Sequence, residues 1–406
     1  MNNKKLTAVF FCMAVILILS LYTAGCADDP SSLGLNFIPP GETTGVRIFD
    51  SYIDTMEITS SNHRYYVNTS SSTNLMVGKY GDYDTKALMH FSGLSGDYDS
   101  ATVNSVLIKL NYMNYYFPSS SADSLGQISF DVFKIEQKLN FSSITLDSVN
   151  SSTFGIISQG SFTGSPTNDS EEVFVTLNTS MVKDWLEYAA DTNYANKNYG
   201  IVLSPGNASS VVKGFYSGLS SLQDLRPSIQ IIVTKNGNTD TLNYFVSSTI
   251  SLSNTNFPAS TETFNLQAGV SYVQLMHFDL SHIPSNATIN DVQLFLTLDQ
   301  PNSIVSSQAS YSIFSQFVTD TAGLKTDIVA FKGSPDGSGQ YVTRLVSRDY
   351  ASPFQRWLLG ETNYGIMIFA GNQTKNLDRY AFYKETASDP NKRPRVIIKY
   401  TPRARP

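Results

Sequence analysis

Apolar and polar side chains alternate along several short stretches of this chain. Val292, Leu294 and Leu296 fall on one side of an extended segment, while Gln293 and Thr297 fall on the other. A period of two is typical of a β-strand that is buried on one face. The same pattern or a short apolar run predicts further strands at 106–112, 128–135, 200–204, 228–233 and 395–400.

The segments between these stretches are clusters of Ser, Asn, Gly and Asp, which favour turns. Only the stretches around Trp185 and Trp357 look helical. The chain is therefore predicted to contain many strands and very little helix.

The sequence also contains the same blocks twice, in the same order. LMHF stands at 88–91 and at 275–278, and each copy is followed by an alternating stretch, at 100–110 and 286–296. Each copy then has one of the chain's two tryptophans, an NYG tripeptide, and an FY pair that precedes an RP pair by eleven residues. Such agreement indicates a tandem duplication, with copies at 48–236 and 238–402.

Many strands and one short helix in each copy predict an all-β protein with two tandem jelly-roll β-sandwich domains. The dipeptide Asn236-Gly237, between the copies, favours a tight turn. We therefore expect a short, rigid joint there rather than a flexible linker.

Residues 1–25 have the pattern of a secretory signal. Two lysines precede an apolar stretch at 6–22, and the small residues at 23–25 lead to Cys26. This order resembles the lipobox of bacterial lipoproteins, which implies cleavage before Cys26 and acylation of its thiol. Residues 26–47 would then be a lipidated tether. An uncleaved anchor helix is the alternative, and either interpretation places the remainder outside the cytoplasm.

Charge and cysteine content narrow the possible functions. Without the two lysines of the signal, 26 of the 28 basic residues remain against 34 acidic ones, a balance of −8. Nucleic-acid binding requires a basic face, so we do not expect it. Cys12 lies in the signal and Cys26 would carry lipid, so no thiol remains for a zinc cluster or a nucleophile. We expect no cofactor, and we expect two acyl chains to hold the protein to a membrane.

The repeated blocks resemble the DNRLRE-type module, a bacterial and archaeal repeat classed among carbohydrate-binding modules. The second copy carries the resemblance most fully, in FDLS at 278–281, IP at 283–284, ATI at 287–289, NYG at 363–365 and RP at 393–394. The resemblance implies a jelly-roll fold and a polysaccharide ligand, which is anionic in some members.

The segment after the lipobox is similar to the start of uncharacterised Bacteroidetes lipoproteins. Ala27, directly after Cys26, differs from the aspartate that favours inner-membrane retention in Gram-negative lipoproteins. The acidic residues that follow resemble surface-export signals. We therefore expect an outer-membrane lipoprotein that is exposed at the cell surface.

The histidine in each LMHF block is a candidate metal ligand or general base. Either role needs partners at workable spacing, and the sequence has no HxH, HExxH or paired His–carboxylate motif. We therefore interpret His90 and His277 as structural side chains near a sheet. Trp185 and Trp357 lie in apolar patterns just before the NYG turns, which favours core packing over stacking on sugars.

Two stretches supply candidate ligand contacts. In NYMNYYF, at 111–117, alternation places Tyr112 inward and leaves Tyr115 and Phe117 to face either a sugar or the other domain. In GKYGDYDTK, at 78–86, the candidate contacts to an anionic glycan are Lys79, Tyr80, Tyr83 and Lys86. The aspartates of that stretch leave a structural calcium open, and a solvated hairpin is the third interpretation.

Enzyme signatures are missing from the sequence. It has no GxSxG elbow, no P-loop and no dinucleotide fingerprint. Carboxylates are plentiful, so the sequence leaves a glycosidase pair open. We expect a non-catalytic surface lipoprotein that binds polysaccharide through two modules. The alternative is a structural or assembly lipoprotein that binds a protein partner in the envelope.

Overall fold

The computed structural model of the chain describes residues 45–64, 66–256, 259–322, 324–345 and 353–402. The predicted signal, Cys26 and most of the predicted tether lie outside these residues. The described chain is almost entirely β-structure, in two large curled antiparallel sheets. The predicted all-β fold with two jelly-roll-like β-sandwich domains is confirmed.

Strands and helices of the described residues are numbered in chain order. The strands are β1 (Arg47–Asp50), β2 (Ile58–Arg64), β3 (Asn74–Tyr80), β4 (Tyr83–His90), β5 (Thr102–Phe117), β6 (Ile128–Lys134), β7 (Gly160–Gly164), β8 (Glu172–Thr176), β9 (Ile201–Pro205), β10 (Val212–Tyr216), β11 (Ser228–Lys235), β12 (Asn238–Phe245), β13 (Ser248–Asn254), β14 (Thr263–Gln267), β15 (Tyr272–Phe278), β16 (Thr288–Thr297), β17 (Ile313–Asp320), β18 (Lys325–Pro335), β19 (Gln340–Arg344), β20 (Ile366–Ala370), β21 (Arg379–Tyr383) and β22 (Arg395–Thr401). The helices are α1 (Ser121–Ser124), α2 (Thr179–Ala190) and α3 (Pro353–Leu358).

Each sheet belongs to one folded unit. The sheet of unit 1 has the order β12-β11-β5-β10-β3-β4-β9-β6-β7, with β13 paired to β4 and β8 paired to β5. The sheet of unit 2 has the order β1-β22-β16-β19-β18-β17-β20-β15-β14-β21, with β2 paired to β15. In both units the sheet curls so that its two halves face each other across an apolar core.

The long strand β5 shows how one element serves both halves of the unit 1 sandwich. Its residues 102–109 pair with β11 and its residues 112–117 pair with β10; the second pairing shifts register at Asn114, which has a positive φ of 52°. A strand that changes layers through such a bend is a common corner of β-sandwiches. The side chains predicted to face inward are all buried: Val106, Ile108, Leu110 and Tyr112.

The two predicted helical stretches are α2 and α3, and each closes one sandwich. Trp185 of α2 is 2% exposed and Trp357 of α3 is 9% exposed, each within the core of its own unit. The prediction that both tryptophans pack in a core is therefore confirmed. Asn178 begins α2, because its side chain accepts a hydrogen bond from the amide of Ser180 at 3.0 Å.

The first strands of the two sequence copies are exchanged between the units. β1 pairs with β22, with Arg47 opposite Tyr400, and β2 pairs with β15. β12 and β13, which hold the equivalent places in the second copy, pair with β11 and β4 of unit 1. Unit 1 is therefore the continuous stretch β3–β13, while unit 2 combines β1 and β2 with β14–β22.

This exchange corrects the predicted domain boundaries at 48–236 and 238–402. The tight turn at Asn236-Gly237 exists, with positive φ angles of 51° and 79°, but it joins β11 to β12 within one sheet. A two-residue turn brings the following strand antiparallel to the preceding one. β12 is therefore held in unit 1, and the equivalent place in unit 2 is taken by β1.

The repeated NYG motif has one structural role in both units. The side-chain amide of Asn198 donates to the carbonyl of Phe91 at 2.8 Å, and that of Asn363 donates to the carbonyl of Phe278 at 3.1 Å. The glycines that follow, Gly200 and Gly365, have φ angles of 100° and 87°. A Cβ on Gly200 would lie 2.3 Å from the carbonyl oxygen of Met89, so this position accepts no side chain.

The repeated RP pair also has a structural role. The guanidinium of Arg226 donates to the carbonyl of Ser220 at 2.8 Å, and that of Arg393 donates to the carbonyl of Ala387 at 2.7 Å. Each arginine thus closes the turn that leads into the last strand of its sequence copy. These repeated blocks preserve the fold, so they do not identify a ligand.

Candidate functional site

Three of the six predicted ligand contacts are buried where the units meet. Tyr83 is 4% exposed, and Tyr115 and Phe117 are fully buried. They form an interunit cluster with Met76, Val212 and Leu377. The expectation that these aromatic side chains contact a ligand is therefore wrong, because unit 2 covers them.

Hydrogen bonds between the units accompany this burial. The Tyr83 hydroxyl donates to Oε1 of Gln267 at 2.9 Å, and the Tyr115 hydroxyl accepts the amide proton of Leu377 at 2.9 Å. Burial raises the pKa of both tyrosines well above the usual value of 10, so both hydroxyls remain protonated. Of the two interpretations that alternation left open for Tyr115 and Phe117, packing against the other unit is confirmed.

The other three predicted contacts remain partly accessible at the β3–β4 hairpin. Tyr80 packs edge-on against Phe117, with ring centroids 6.1 Å apart. Lys86 pairs with Asp84 at 2.6 Å, and Lys79 is half-buried. In the part of the chain that the structure describes, no group of three or more metal-ligating side chains occurs. The hairpin therefore offers no calcium site built from such side chains among these residues.

A cleft of about 570 Å³ lies on unit 1, next to the first LMHF block. Four parts of the chain form its walls, and we call it the unit 1 cleft. Its lining comprises His90, Ser92, Gly93 and Leu94 after β4; Lys138, Leu139 and Phe141 between β6 and β7; Trp185, Tyr188, Ala189 and Thr192 at α2; and Lys197, Asn198 and Tyr199 before β9.

The unit 1 cleft combines aromatic rings with positive charge. Lys138 is exposed, Lys197 is half-buried, and none of the described residues that line the cleft is a carboxylate. The Lys197 ammonium lies 5.1 Å from the centre of the Tyr188 ring and donates to the carbonyl of Thr192. An aromatic and cationic lining of this kind suits an anionic ligand with a hydroxylated, partly apolar ring.

His90 lies at one wall of this cleft rather than in a metal site. Its Nδ1 is 3.3 Å from the hydroxyl of Ser247, and its ring is 6.3 Å from that of Phe141. Burial lowers the pKa of His90 below its usual value, so the ring is neutral at pH 7. These contacts agree with the interpretation of His90 as a structural side chain. Its position in the wall of the unit 1 cleft was not predicted from the sequence.

The equivalent position in unit 2 is smaller and its charges are paired. A hollow of about 350 Å³ beside Trp357 and Tyr364 is lined by Arg356 and Glu361, which form an ion pair at 2.9 Å. The difference arises from one connection. β17 is followed almost immediately by β18, whereas 25 residues, 135–159, separate β6 from β7.

Those 25 residues pack on the outer face of the unit 1 sheet. Their apolar side chains cover Leu88, Val202 and Ile250, and include Leu139, Phe141, Leu146, Val149 and Phe154. Lys138 and Phe141 thereby become one wall of the cleft. Lys138, Tyr188 and Lys197 were not among the site residues predicted from the sequence. The feature of the sequence that could have pointed to them is the greater length of the first copy, 48–236, compared with the second, 238–402.

The chain matches no family model, no curated protein and no solved structure. The resemblance to DNRLRE-type modules therefore stays a prediction. Among the residues that the structure describes, no helix is long and apolar enough to cross a membrane.

Proposed function

We propose that the chain is a non-catalytic lipoprotein of the cell surface that binds polysaccharide, with an anionic polymer as the ligand of the unit 1 cleft. The observation that carries the proposal is the cleft lining, in which Lys138 and Lys197 occur with Tyr188 and Tyr199 and no carboxylate is among the described lining residues. The membrane anchor would be the acylated Cys26, at the outer membrane.

The chemistry of the cleft supports this ligand class in two ways. Carboxylate or sulfate groups of a polymer would accept charge-assisted hydrogen bonds from the two ammonium groups. The apolar faces of sugar rings would pack against Tyr188 and Tyr199, which are both half-buried at the cleft wall. The openness of the cleft to solvent suits an internal segment of a long chain better than an enclosed small molecule.

The proposal is tested by affinity electrophoresis of the soluble chain from residue 31 onward. Alginate and pectin are expected to retard it, and cellulose derivatives serve as uncharged polymers. The double variant Lys138→Ala/Lys197→Ala should weaken binding of the anionic polymers by about tenfold or more, since each lost charged hydrogen bond is worth about 1.5–3 kcal/mol. The matched control is Lys332→Ala, which removes an exposed lysine from β18 of unit 2.

Equal retardation of the double variant and the wild type would contradict the assignment to the cleft. Shortening of a polymer during the assay would contradict the non-catalytic part of the proposal.

The second candidate is a structural or assembly lipoprotein that binds a protein partner in the envelope. Its support is the burial of Tyr83, Tyr115 and Phe117 between the units, which removes them from any contact with a soluble glycan. Absence of retardation by every polymer tested would favour this candidate.

A further inference from the structure

The outer side of four neighbouring strands in unit 1 carries an ordered grid of side chains. The strands lie in the order β8-β5-β11-β12, and we call their outward side the four-strand face. Cross-strand pairing places four residues in one row: Phe174, Lys109, Ser228 and Phe245. The adjacent row is Thr176, Leu107, Gln230 and Asn243.

Both aromatic rings of the first row are unusually open to solvent. Phe174 is 47% exposed and Phe245 is 42% exposed. They occupy the two ends of the row, so three strand spacings separate them, about 14 Å in all. Between them runs a groove of about 380 Å³. Two rings at this separation, with a groove between, form a surface for an elongated ligand rather than for a single small ring.

The polar groups in the groove are short amides and hydroxyls. Nε2 of Gln230 donates to Oδ1 of Asn243 at 3.3 Å, and both side chains are exposed. Within the described residues, the remaining amide groups of this pair have no other hydrogen-bond partner. Ser228 and Asn243 stand beside Phe245 in the same groove. Amides of this kind can both donate to and accept from ligand hydroxyls.

The charges on the four-strand face disfavour a polyanion. Lys109 pairs with Glu172 at 3.1 Å, and Asp224 adds a further carboxylate to the lining. The face therefore holds one more carboxylate than ammonium, in contrast to the unit 1 cleft. A ligand that matches it has hydroxyl groups and apolar ring faces but no net charge.

The equivalent face of unit 2 carries ion-paired arginines. Arg395 donates to the carboxylate of Asp50 at 2.9 Å, and its guanidinium stands 5.1 Å from the Tyr52 ring and 5.8 Å from the Phe295 ring. Arg344 pairs with Asp291 at 2.7 Å on the same side. Phe295 there is half-buried beneath this guanidinium, while Tyr52 is 40% exposed and stands beside a positive charge that neither Phe174 nor Phe245 has as a ring partner among the described residues.

We propose that the four-strand face binds a neutral pyranose polymer, as a site separate from the unit 1 cleft. The polymer crosses the strands along the first row, with the apolar faces of its sugar rings against Phe174 and Phe245. Its hydroxyls bond to Gln230, Asn243 and Ser228. The proposal extends the polysaccharide-binding function to a second ligand class and needs no charge on the ligand.

The test is affinity electrophoresis of the soluble chain in gels that contain hydroxyethyl cellulose, mannan or starch. At least one of these polymers is expected to retard the wild type, and 0.5 M salt should leave that retardation unchanged because no ion pair is involved. The double variant Phe174→Ala/Phe245→Ala should bind at least tenfold more weakly, and Gln230→Ala should lose part of the affinity. Both rings are nearly half exposed, so thermal unfolding should change only modestly. The matched control is Leu359→Ala, at a side chain that is 71% exposed in unit 2.

Either of two glycan-binding results would overturn the site. One is the absence of retardation by all three neutral polymers, and the other is wild-type retardation of the phenylalanine double variant. A shift of the double variant in sedimentation velocity, without any effect on glycan binding, would instead identify a protein contact and also overturn it. In each case, binding of alginate that depends on Lys138 and Lys197 would still support the unit 1 cleft as a site for an anionic polymer. Failure of the four-strand face can therefore be distinguished from failure of the proposed function.

Discussion

The two units share a fold but differ in what they leave open to solvent. Unit 1 has a cleft that is lined by Lys138 and Lys197, with no carboxylate among its described lining residues, and a sheet face with two exposed phenylalanines. At both equivalent places unit 2 has ion pairs, formed by Arg356 with Glu361 and by Arg395 with Asp50. A duplicated sandwich thus keeps its framework in both copies, while one copy carries the candidate binding surfaces.

The strand exchange is a further contrast between the units. Unit 1 is built from one continuous stretch of chain, whereas unit 2 depends on β1 and β2 from the far end of the sequence. Unit 2 also contributes Leu377 to the cluster around Phe117. Unit 2 thus helps to cover the outward side of the last part of β5 in unit 1.

Deletion of residues 45–64 should have the largest effect on the difference in stability between the two units. It removes β1 and β2, leaves β22 and β15 without these neighbours, and should abolish the cooperative unfolding transition of unit 2. Unit 1 should keep its own transition, since β3–β13 remain. Differential scanning calorimetry and hydrogen exchange of each unit would measure the outcome. A synthetic peptide of residues 45–64 should restore protection of β15 and β22, and retention of the unit 2 transition without it would contradict the prediction.

Gly200→Ala and Gly365→Ala should have the next largest effect. The new Cβ would lie 2.3 Å from the carbonyl oxygen of Met89 in unit 1, or 2.6 Å from that of Met276 in unit 2, and both positions have a positive φ. Each substitution should lower the free energy of unfolding of its own unit by about 2–4 kcal/mol. Urea unfolding, followed by tryptophan fluorescence from Trp185 or Trp357, would measure it.

Gly337→Ala is the matched control for these two variants. A Cβ there would have nothing within 4 Å, so the free energy of unfolding should change by less than about 0.5 kcal/mol. If all three variants were equally stable, the close approach of the NYG turn to the preceding strand would not be what requires glycine.

The smallest expected effect concerns His90 and acid. Burial lowers its pKa below the usual value of 6.5, so the unfolded chain takes up a proton at a higher pH than the folded chain does. The stability that the neutral ring contributes is complete above pH 6.5 and is lost as the pH falls towards the folded pKa. His90→Gln should therefore lose less stability than the wild type between pH 7.5 and pH 5. Equal losses of Tm in the two proteins over this range would contradict the prediction.

The sequence predicted the duplication, most of the strands, both tryptophan helices and the inward side of β5, because these follow from local periodicity. It could not decide which sheet receives β1 and β2. β1 and β2 of the first copy and β12 and β13 of the second copy are equivalent, so either pair could complete the sheet of either unit. In the folded protein the tight turn at Asn236-Gly237 holds β12 beside β11, and β1 and β2 therefore join unit 2. Alternation correctly placed Tyr115 and Phe117 on the outward side of β5, but their cover by Leu377 comes from a part of the chain that is 260 residues away.

The candidate sites were harder to predict than the fold. Lys138, Tyr188 and Lys197 converge from three separate segments of the chain. Phe174 and Phe245 lie at opposite ends of a row across four strands, and the pairing of these strands is not visible in a single sequence. The blocks that did stand out, LMHF, NYG and RP, are those that both units need for their turns and cores.

The exchanged strands also determine how mechanical load would pass through the molecule. The covalent path from residue 45 to unit 1 runs through β1 and β2, which are both held in the sheet of unit 2. Tension between a membrane anchor at Cys26 and a polymer held by unit 1 would first strain the hydrogen bonds of these strands to β22 and β15. Their release would add roughly 60 Å of extended chain, at about 3.4 Å for each residue of 47–64. Release of β1 and β2 from unit 2 would then lengthen the chain between the anchor and unit 1 under force, while the binding surfaces of unit 1 stay folded.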